Sequence, residues 1–306
     1  MKVLRLVLLG SVLWILLYSC ASGDNQVRAL TDTPKKGAIT ISVDESFRPI
    51  VDALIQVYES NNDSTKIHAQ YKPEAECMAD LFNDSIRMVI ATIKLSEKQL
   101  QSVVDSLHVV VKQLPVARDA VAVIVNPSSS DTLLTMGEIR SVLTGNYIKP
   151  LIPVFDGLSA TSTVRFLLDS VLKGQKITSK AMGASTSDSV IQFVANNPNA
   201  IGFIGVSWIG NQDDAQQLSF LKKVKIVQLE SSDKPGKYVL PVQANIYTKR
   251  YPMTRDLVYI VKEGHRGLGT GFAEFMAGEI GQLIFKRAYL MPGRRNFIIR
   301  PAQTKE

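Results

Sequence analysis

Gly37-Ala-Ile-Thr-Ile-Ser-Val43, followed by Phe47 to Tyr58 with apolar Ile50, Leu54 and Val57, is the stretch that decides the fold. Its first seven residues alternate as a strand does, and the second run has the period of a helix with one apolar face. The unit then recurs. Ile67 to Tyr71 predicts a strand, Ala75 to Phe82 a helix, Ser85 to Thr92 a strand and Glu97 to Ser106 a helix. Strands and helices alternating at this size imply parallel strands with helices on both faces of a sheet.

Further along, Ala120-Val-Ala-Val-Ile-Val-Asn126 reads as a buried strand ended by Asn126-Pro127 and a serine-rich turn. Thr135 to Leu143 predicts a helix, with Thr135 as its cap and Glu138 at capping-box spacing. A hydroxyl-rich segment and its helix follow to Lys173. Thr186-Ser-Asp-Ser189 opens another helix that stops near Asn197-Pro198, and Ala200-Ile-Gly-Phe-Ile-Gly205 predicts a strand with close glycine packing. Val239 to Tyr247 and Asp256 to Val261 are expected as strands. Gly267-Leu-Gly-Thr-Gly271 lacks the spacing of a nucleotide-binding loop and is expected as a plain turn leading into a helix over Phe272 to Phe285.

The chain has 306 residues and a formal net charge of +7. Residues 1–19 have the make-up of a secretory signal: Lys2 and Arg5, then an apolar run from Leu6 to Tyr18 that is too short to span a membrane. Ser19-Cys20 resembles a lipobox, so Cys20 is expected to be the lipidated first residue; Tyr18 fits that pattern imperfectly and leaves an ordinary signal or an uncleaved anchor open. Residues 20–37 read as a tether, and the rest suits two domains. A lipid anchor would hold the body at a membrane of the cell envelope, facing the periplasm or the exterior.

Cys77 is then the one remaining thiol. It has no partner for an internal disulfide and no histidine at a recognisable spacing, so a buried structural role is expected. Basic residues are scattered without an aromatic-lined stripe, which argues against nucleic acid. His68, His108 and His265 lie far apart, and no metal site, cofactor or catalytic constellation is expected.

Ser159-Ala-Thr-Ser-Thr-Val-Arg165 follows the loop Phe155-Asp156-Gly157 and leads into an apolar helical run. Two readings are open. One hydroxyl at a helix start is an ordinary N-cap; several, with an arginine, make a cradle in which an oxyanion meets free N–H groups and hydroxyl donors.

Several segments in order resemble the phosphate-binding proteins of Pst-type uptake systems, within the bilobed periplasmic binding proteins. These are Ser46-Phe47 after the first strand; Ala122-Val-Ile-Val-Asn-Pro127 with Leu134 to Gly145; the hydroxyl cluster; Asn197-Pro-Asn-Ala-Ile-Gly-Phe203; Tyr251-Pro-Met-Thr-Arg-Asp256; and Gly281-Gln282 with Leu290-Met-Pro292. The resemblance, over about Ala38 to Pro292, implies a type II two-lobed α/β fold, each lobe a mixed sheet flanked by helices, joined by two crossover hinge strands near Arg118 to Val121 and Leu240 to Asn245. Lobe one would comprise 38–118 and 245–306, and lobe two 119–244.

The resemblance also implies a monomeric, non-enzymatic receptor for inorganic phosphate or a related oxyanion that delivers it to the permease subunits of an ABC importer. Its ligands would come from Ser46, Phe47, Thr92, Ser159, Thr161, Ser162, Thr163 and Arg165. Ser187 and Ser189 are further candidates, with helix capping as their other reading. Two charged partners of the family site are missing: Ile93 stands where an aspartate is expected and Phe155 where an arginine is expected. Arg165 is the substitute arginine or a solvent-facing helix residue. Asp44, Glu45 or Asp156 is the substitute acceptor or a solvated loop acid. Arg255 and Asp256 read as a structural salt bridge, with ligand contact as their other reading. With both partners missing, a structural or interaction lipoprotein that kept the fold and lost the ligand is the alternative.

Overall fold

The computed structural model describes residues 32–157, 161–211 and 213–293. Ser159, Cys20 and the expected signal lie outside those residues, as does most of the expected tether. In chain order the strands are β1 Gly37–Asp44, β2 Thr65–Lys72, β3 Ile86–Ala91, β4 Val110–Val125, β5 Leu133–Leu134, β6 Ile152–Phe155 and β7 Met182–Gly183. They continue as β8 Ala200–Gly205, β9 Lys225–Ile226, β10 Gln228–Ser231, β11 Lys234–Val239, β12 Thr254–Glu263 and β13 Met291–Pro292.

One sheet runs β2-β1-β3-β12-β4-β8-β6-β7, with β9 and β13 also pairing β4. β1 is parallel to β2 and β3, as the strand and helix alternation predicts. β12 then joins antiparallel to both β3 and β4. The sheet is therefore mixed. β4 links its two parts: Val110 to Ala120 pair with β12, whereas Val121 to Val125 pair with β8. The expected strand at Ala120 begins ten residues earlier than its apolar run, because Val110 to Arg118 lie on a half-exposed stretch of ladder.

Apolar periodicity sets the packing on each part. Helix Arg48–Ser60 buries Ile50, Val51, Leu54, Ile55 and Tyr58 against the core beside β1. Helix Ser187–Asn196 buries Val190, Ile191 and Val194 beside β8. Gly202 permits that approach, since a Cβ there would lie 2.8 Å from Val190 and 2.9 Å from Val194. Cys77 is fully buried and its thiol is pushed up to about 12 by burial, in keeping with a structural role. The capping box at Thr135 and Glu138 forms as its spacing predicts.

Two expected elements differ. Val239 to Tyr247 is not a strand: β11 ends at Val239 and helix Gln243–Tyr247 follows, so the second expected crossing, Leu240 to Asn245, runs into a helix. Pro241 has no N–H for a ladder, and the Gln243 amide instead donates to the carbonyls of Lys286 and Leu290. The expected helix over Phe272 to Phe285 is two, Leu268–Ala277 and Glu279–Arg287, broken at extended Gly278. The first starts early because the buried Glu263 carboxylate accepts from the N–H groups of Gly267, Gly269 and Thr270. Among the described residues no helix is long and apolar enough to cross a membrane.

Candidate functional site

β1 ends in Asp44, whose carboxylate accepts the Ser46 N–H at 3.1 Å and caps the short turn Glu45–Phe47. Pro49 in the first turn then starts helix Arg48–Ser60. This strand-to-helix junction lies at the carboxyl end of a parallel strand, where open α/β sheets place their ligands. The Ser46 carbonyl is fixed by two donors from the short turn Val206–Trp208 that follows β8, Ser207 Oγ at 3.1 Å and Trp208 Nε1 at 3.0 Å.

The hydroxyl segment divides its labour. Thr161 is the N-cap of helix Ser162–Phe166, its Oγ1 accepting the Val164 N–H at 3.2 Å. Ser162 and Thr163 are fully buried and meet Ser46, with oxygen separations of 3.3 and 3.4 Å. The capping reading therefore holds for Thr161, while the hydroxyls of Ser162 and Thr163 turn to Ser46 instead. Asp156 Oδ2 accepts from Ser46 Oγ at 2.9 Å and from Thr163 Oγ1 at 3.3 Å.

The arginine of this cluster is Arg255 on β12. Its Nη1 donates to Ser162 Oγ at 2.9 Å and to Thr163 Oγ1 at 3.3 Å, its Nε donates to Asp119 Oδ2 at 2.9 Å, and its guanidinium sits over the Phe47 ring at 5.0 Å. Burial opposes its charge, but Asp119 and Asp44 outweigh burial and raise its pKa. Gly205 at the end of β8 permits this geometry: a Cβ there would press on Arg255 Nη2 and the Ser46 carbonyl at 3.2 Å and on Asp119 Oδ2 at 3.3 Å.

The cluster is not internally satisfied. Arg255 Nη2, Asp44 Oδ2 and Asp156 Oδ1 are buried without hydrogen-bond partners. Burial pushes the Asp44 carboxyl up to about 7, with Arg255 pulling the other way, and raises Asp156 as well. A buried donor and two buried carboxylate oxygens without partners are expensive in a folded chain and point to an absent polar partner.

Arg165 and Thr92 form a second group. Arg165 donates to Glu74 Oε2 and to Thr92 Oγ1, both at 2.6 Å, and Glu74 Oε1 accepts the Thr92 N–H at 2.8 Å. Glu74 thus sits on Thr92, beside the place where the resemblance implies an aspartate and the sequence has Ile93. Ser187 and Ser189 belong to a third group at the start of helix Ser187–Asn196. The Glu45 carboxylate accepts from Ser187 N–H and Oγ, while Ser189 N–H donates to Thr186. Burial pushes Glu45 up to about 7, with the Asp156 charge adding to it.

Arg255 was expected chiefly as a structural salt-bridge residue, and it joins the hydroxyl cluster as well. Arg255 and Asp256 do form salt bridges, but across to Asp119 and Arg118 rather than with each other. A signal for this exists: Arg118-Asp119 and Arg255-Asp256 are two charged dipeptides inside strand-like runs, and in antiparallel register each supplies the other's counter-ion.

Comparison with known proteins agrees with this architecture. The chain is 21% identical over 283 residues to the phosphate-binding protein PstS of Borreliella burgdorferi, covering 87% of this chain and 90% of that one. A substrate-binding protein from Clostridium perfringens solved with bound phosphate superposes with a TM-score of 0.68 at 19% identity, covering 84% of this chain and 100% of that chain. An ABC-type phosphate transport receptor from Vibrio cholerae gives a TM-score of 0.60 at 17% identity, covering 83% and 99%. The fold is the two-lobed α/β fold of type II binding proteins. With residues 29–279 matching the PBP superfamily domain, the chain belongs to the PBP superfamily.

Proposed function

We propose that this chain is an extracytoplasmic solute receptor that binds inorganic phosphate at the Ser46, Ser162, Thr163 and Arg255 cluster and delivers it to an ABC importer. One observation carries the reading: the Ser46 hydroxyl meets the hydroxyls of the distant Ser162 and Thr163, and these bond a single buried guanidinium that still has an unpartnered donor. Arginine and hydroxyl donors suit a dehydrated oxyanion, and the vacant Asp156 Oδ1 suits a proton on the ligand. Fully ionised sulfate has no such proton and would leave two acceptors facing each other. The Arg255 cluster replaces Arg165 as the charged centre, and the Phe47 ring supports the guanidinium from below.

In this reading the lobes are 38–118 with 245–306, and 119–244. The change of β4 partner between Ala120 and Val121 supports a hinge there. Cys20 would carry the lipid, and residues 20–37 would tether a monomeric body to the membrane beside the permease. The reading is of a receptor without catalysis. Calorimetry with phosphate and with sulfate tests it. Heat and a thermal shift with phosphate alone are expected; neither with phosphate would sink it.

A second reading, an interaction lipoprotein without ligand, has one supporting observation. Ser46 and Thr163 already donate to Asp156, so an internal carboxylate meets part of the donor set. It predicts the same solution scattering profile with and without phosphate.

A further inference from the structure

The acid content around Arg255 exceeds what one guanidinium balances. Asp44, Asp119 and Asp156 are each more than nine-tenths buried. Asp119 is committed, since it accepts from Arg255 Nε and from the Val206 N–H. Asp156 Oδ2 is committed to Ser46 and Thr163. Asp44 differs: Oδ1 takes the Ser46 N–H, while Oδ2 is buried without a hydrogen-bond partner. The groups facing Asp44 are Arg255 from β12, Glu74 from helix Glu74–Ala79, Asp156 beyond β6 and the Ser162 hydroxyl, with the Cys77 thiol also within its field. Glu45 and Arg48 follow it in the chain. Acids therefore outnumber cations at this point, and an incoming anion adds to the excess.

Resting on the phosphate reading above, we propose that Asp44 makes capture of the oxyanion proton-coupled: one proton from solvent adds to the Asp44 carboxylate as the anion arrives, and the new O–H donates to an anion oxygen. The step balances, because the proton neutralises one carboxylate while the anion brings its own charge to Arg255. It also resolves two of the orphaned atoms together. A protonated Oδ2 is a donor without an acceptor, Arg255 Nη2 is another, and an anion supplies acceptors to both. Burial supports the assignment by holding Asp44 ready to accept a proton near neutrality. Asp156 keeps its separate role as acceptor of the ligand's own proton.

The test is calorimetry of the full chain with inorganic phosphate at about pH 8, in buffers of different ionisation enthalpy, for wild type and Asp44→Asn. Wild type is expected to take up about one more proton per phosphate than the variant. Its affinity should fall, relative to the variant, by about tenfold per pH unit above that pH. Equal uptake by both proteins overturns the proposal and leaves the phosphate reading standing; absence of phosphate heat at every pH removes both. A measurement on wild type alone guards against a variant that fails to fold. Difference infrared spectra on phosphate addition should gain a protonated-carboxyl band, and a spectrum without that band overturns the proposal.

Discussion

Arg255 with Asp119 and Arg118 with Asp256 are two ion pairs of the same residue types, on the same two strands, at adjacent rungs of one ladder. They have opposite surroundings. The Arg255 and Asp119 side chains are 4% and 0% exposed, the Arg118 and Asp256 side chains 35% and 42%. Strand alternation alone separates them, because successive residues point to opposite faces of a sheet. The inner pair lies under Ser46, Ser162 and Thr163, where its charge is undiluted by water; the outer pair is screened. The lesson is that residue type and pairing do not give an arginine its role. The face of the sheet does.

The comparison is broken most severely by Arg255→Ala. It leaves Asp119 buried without its counter-ion and should cost about 3–5 kcal/mol in urea denaturation, with phosphate binding lost. The double change Arg255→Met, Asp119→Leu sharpens the point. It should recover part of the stability, since Asp119 is no longer left charged and alone while Asp44 and Asp156 still lose their shared cation, and phosphate binding stays absent.

A pH series comes next. Asp44 and Glu45 have folded pKa values raised to about 7, from ordinary values of 3.8 and 4.5. Between those limits the folded chain holds more protons than the unfolded one. Their contribution is therefore greatest at low pH and declines as pH rises through about 7. Each group contributes a slope of up to about 1.4 kcal/mol per pH unit. Asp44→Asn and Glu45→Gln should each flatten the fall in stability measured by denaturant titration from pH 4 to 8; unchanged slopes would show that these acids titrate normally.

The hydroxyls of the inner face are the next smaller test. Ser162→Ala with Thr163→Ala should weaken phosphate binding by about 1–3 kcal/mol in calorimetry if both donate to the anion. The outer pair gives the smallest effect. Arg118→Ala should change stability by about 0–1 kcal/mol and leave phosphate affinity unaltered. A large loss there would end the contrast between the two faces.

Much of the α/β order was legible. The alternation in Gly37 to Val43, the helical period after Phe47 and the capping box at Thr135 are local signals, and each formed where the pattern put it. Pro241 was a local signal too, and its missing N–H accounts for the strand that did not form. The candidate site was legible by halves. Ser46, Ser162 and Thr163 sit at element starts rich in hydroxyls, which sequence marks well. Arg165 carried the same mark by adjacency, yet the fold turns it onto Glu74 and Thr92. Arg255 stands 93 residues beyond Ser162 and comes to it only through the pairing of β4 with β12.

By itself the sequence determined most element types, their order and the hydroxyl-bearing helix starts. These follow from local periodicity and capping chemistry. Only the tertiary structure decided which arginine is the charged centre, which hydroxyl caps and which faces the cluster, and which carboxylate oxygens are left buried without partners. The reason is physical: strand register, set by long-range pairing, fixes the face on which a side chain lies, and burial on that face fixes what its charge is worth.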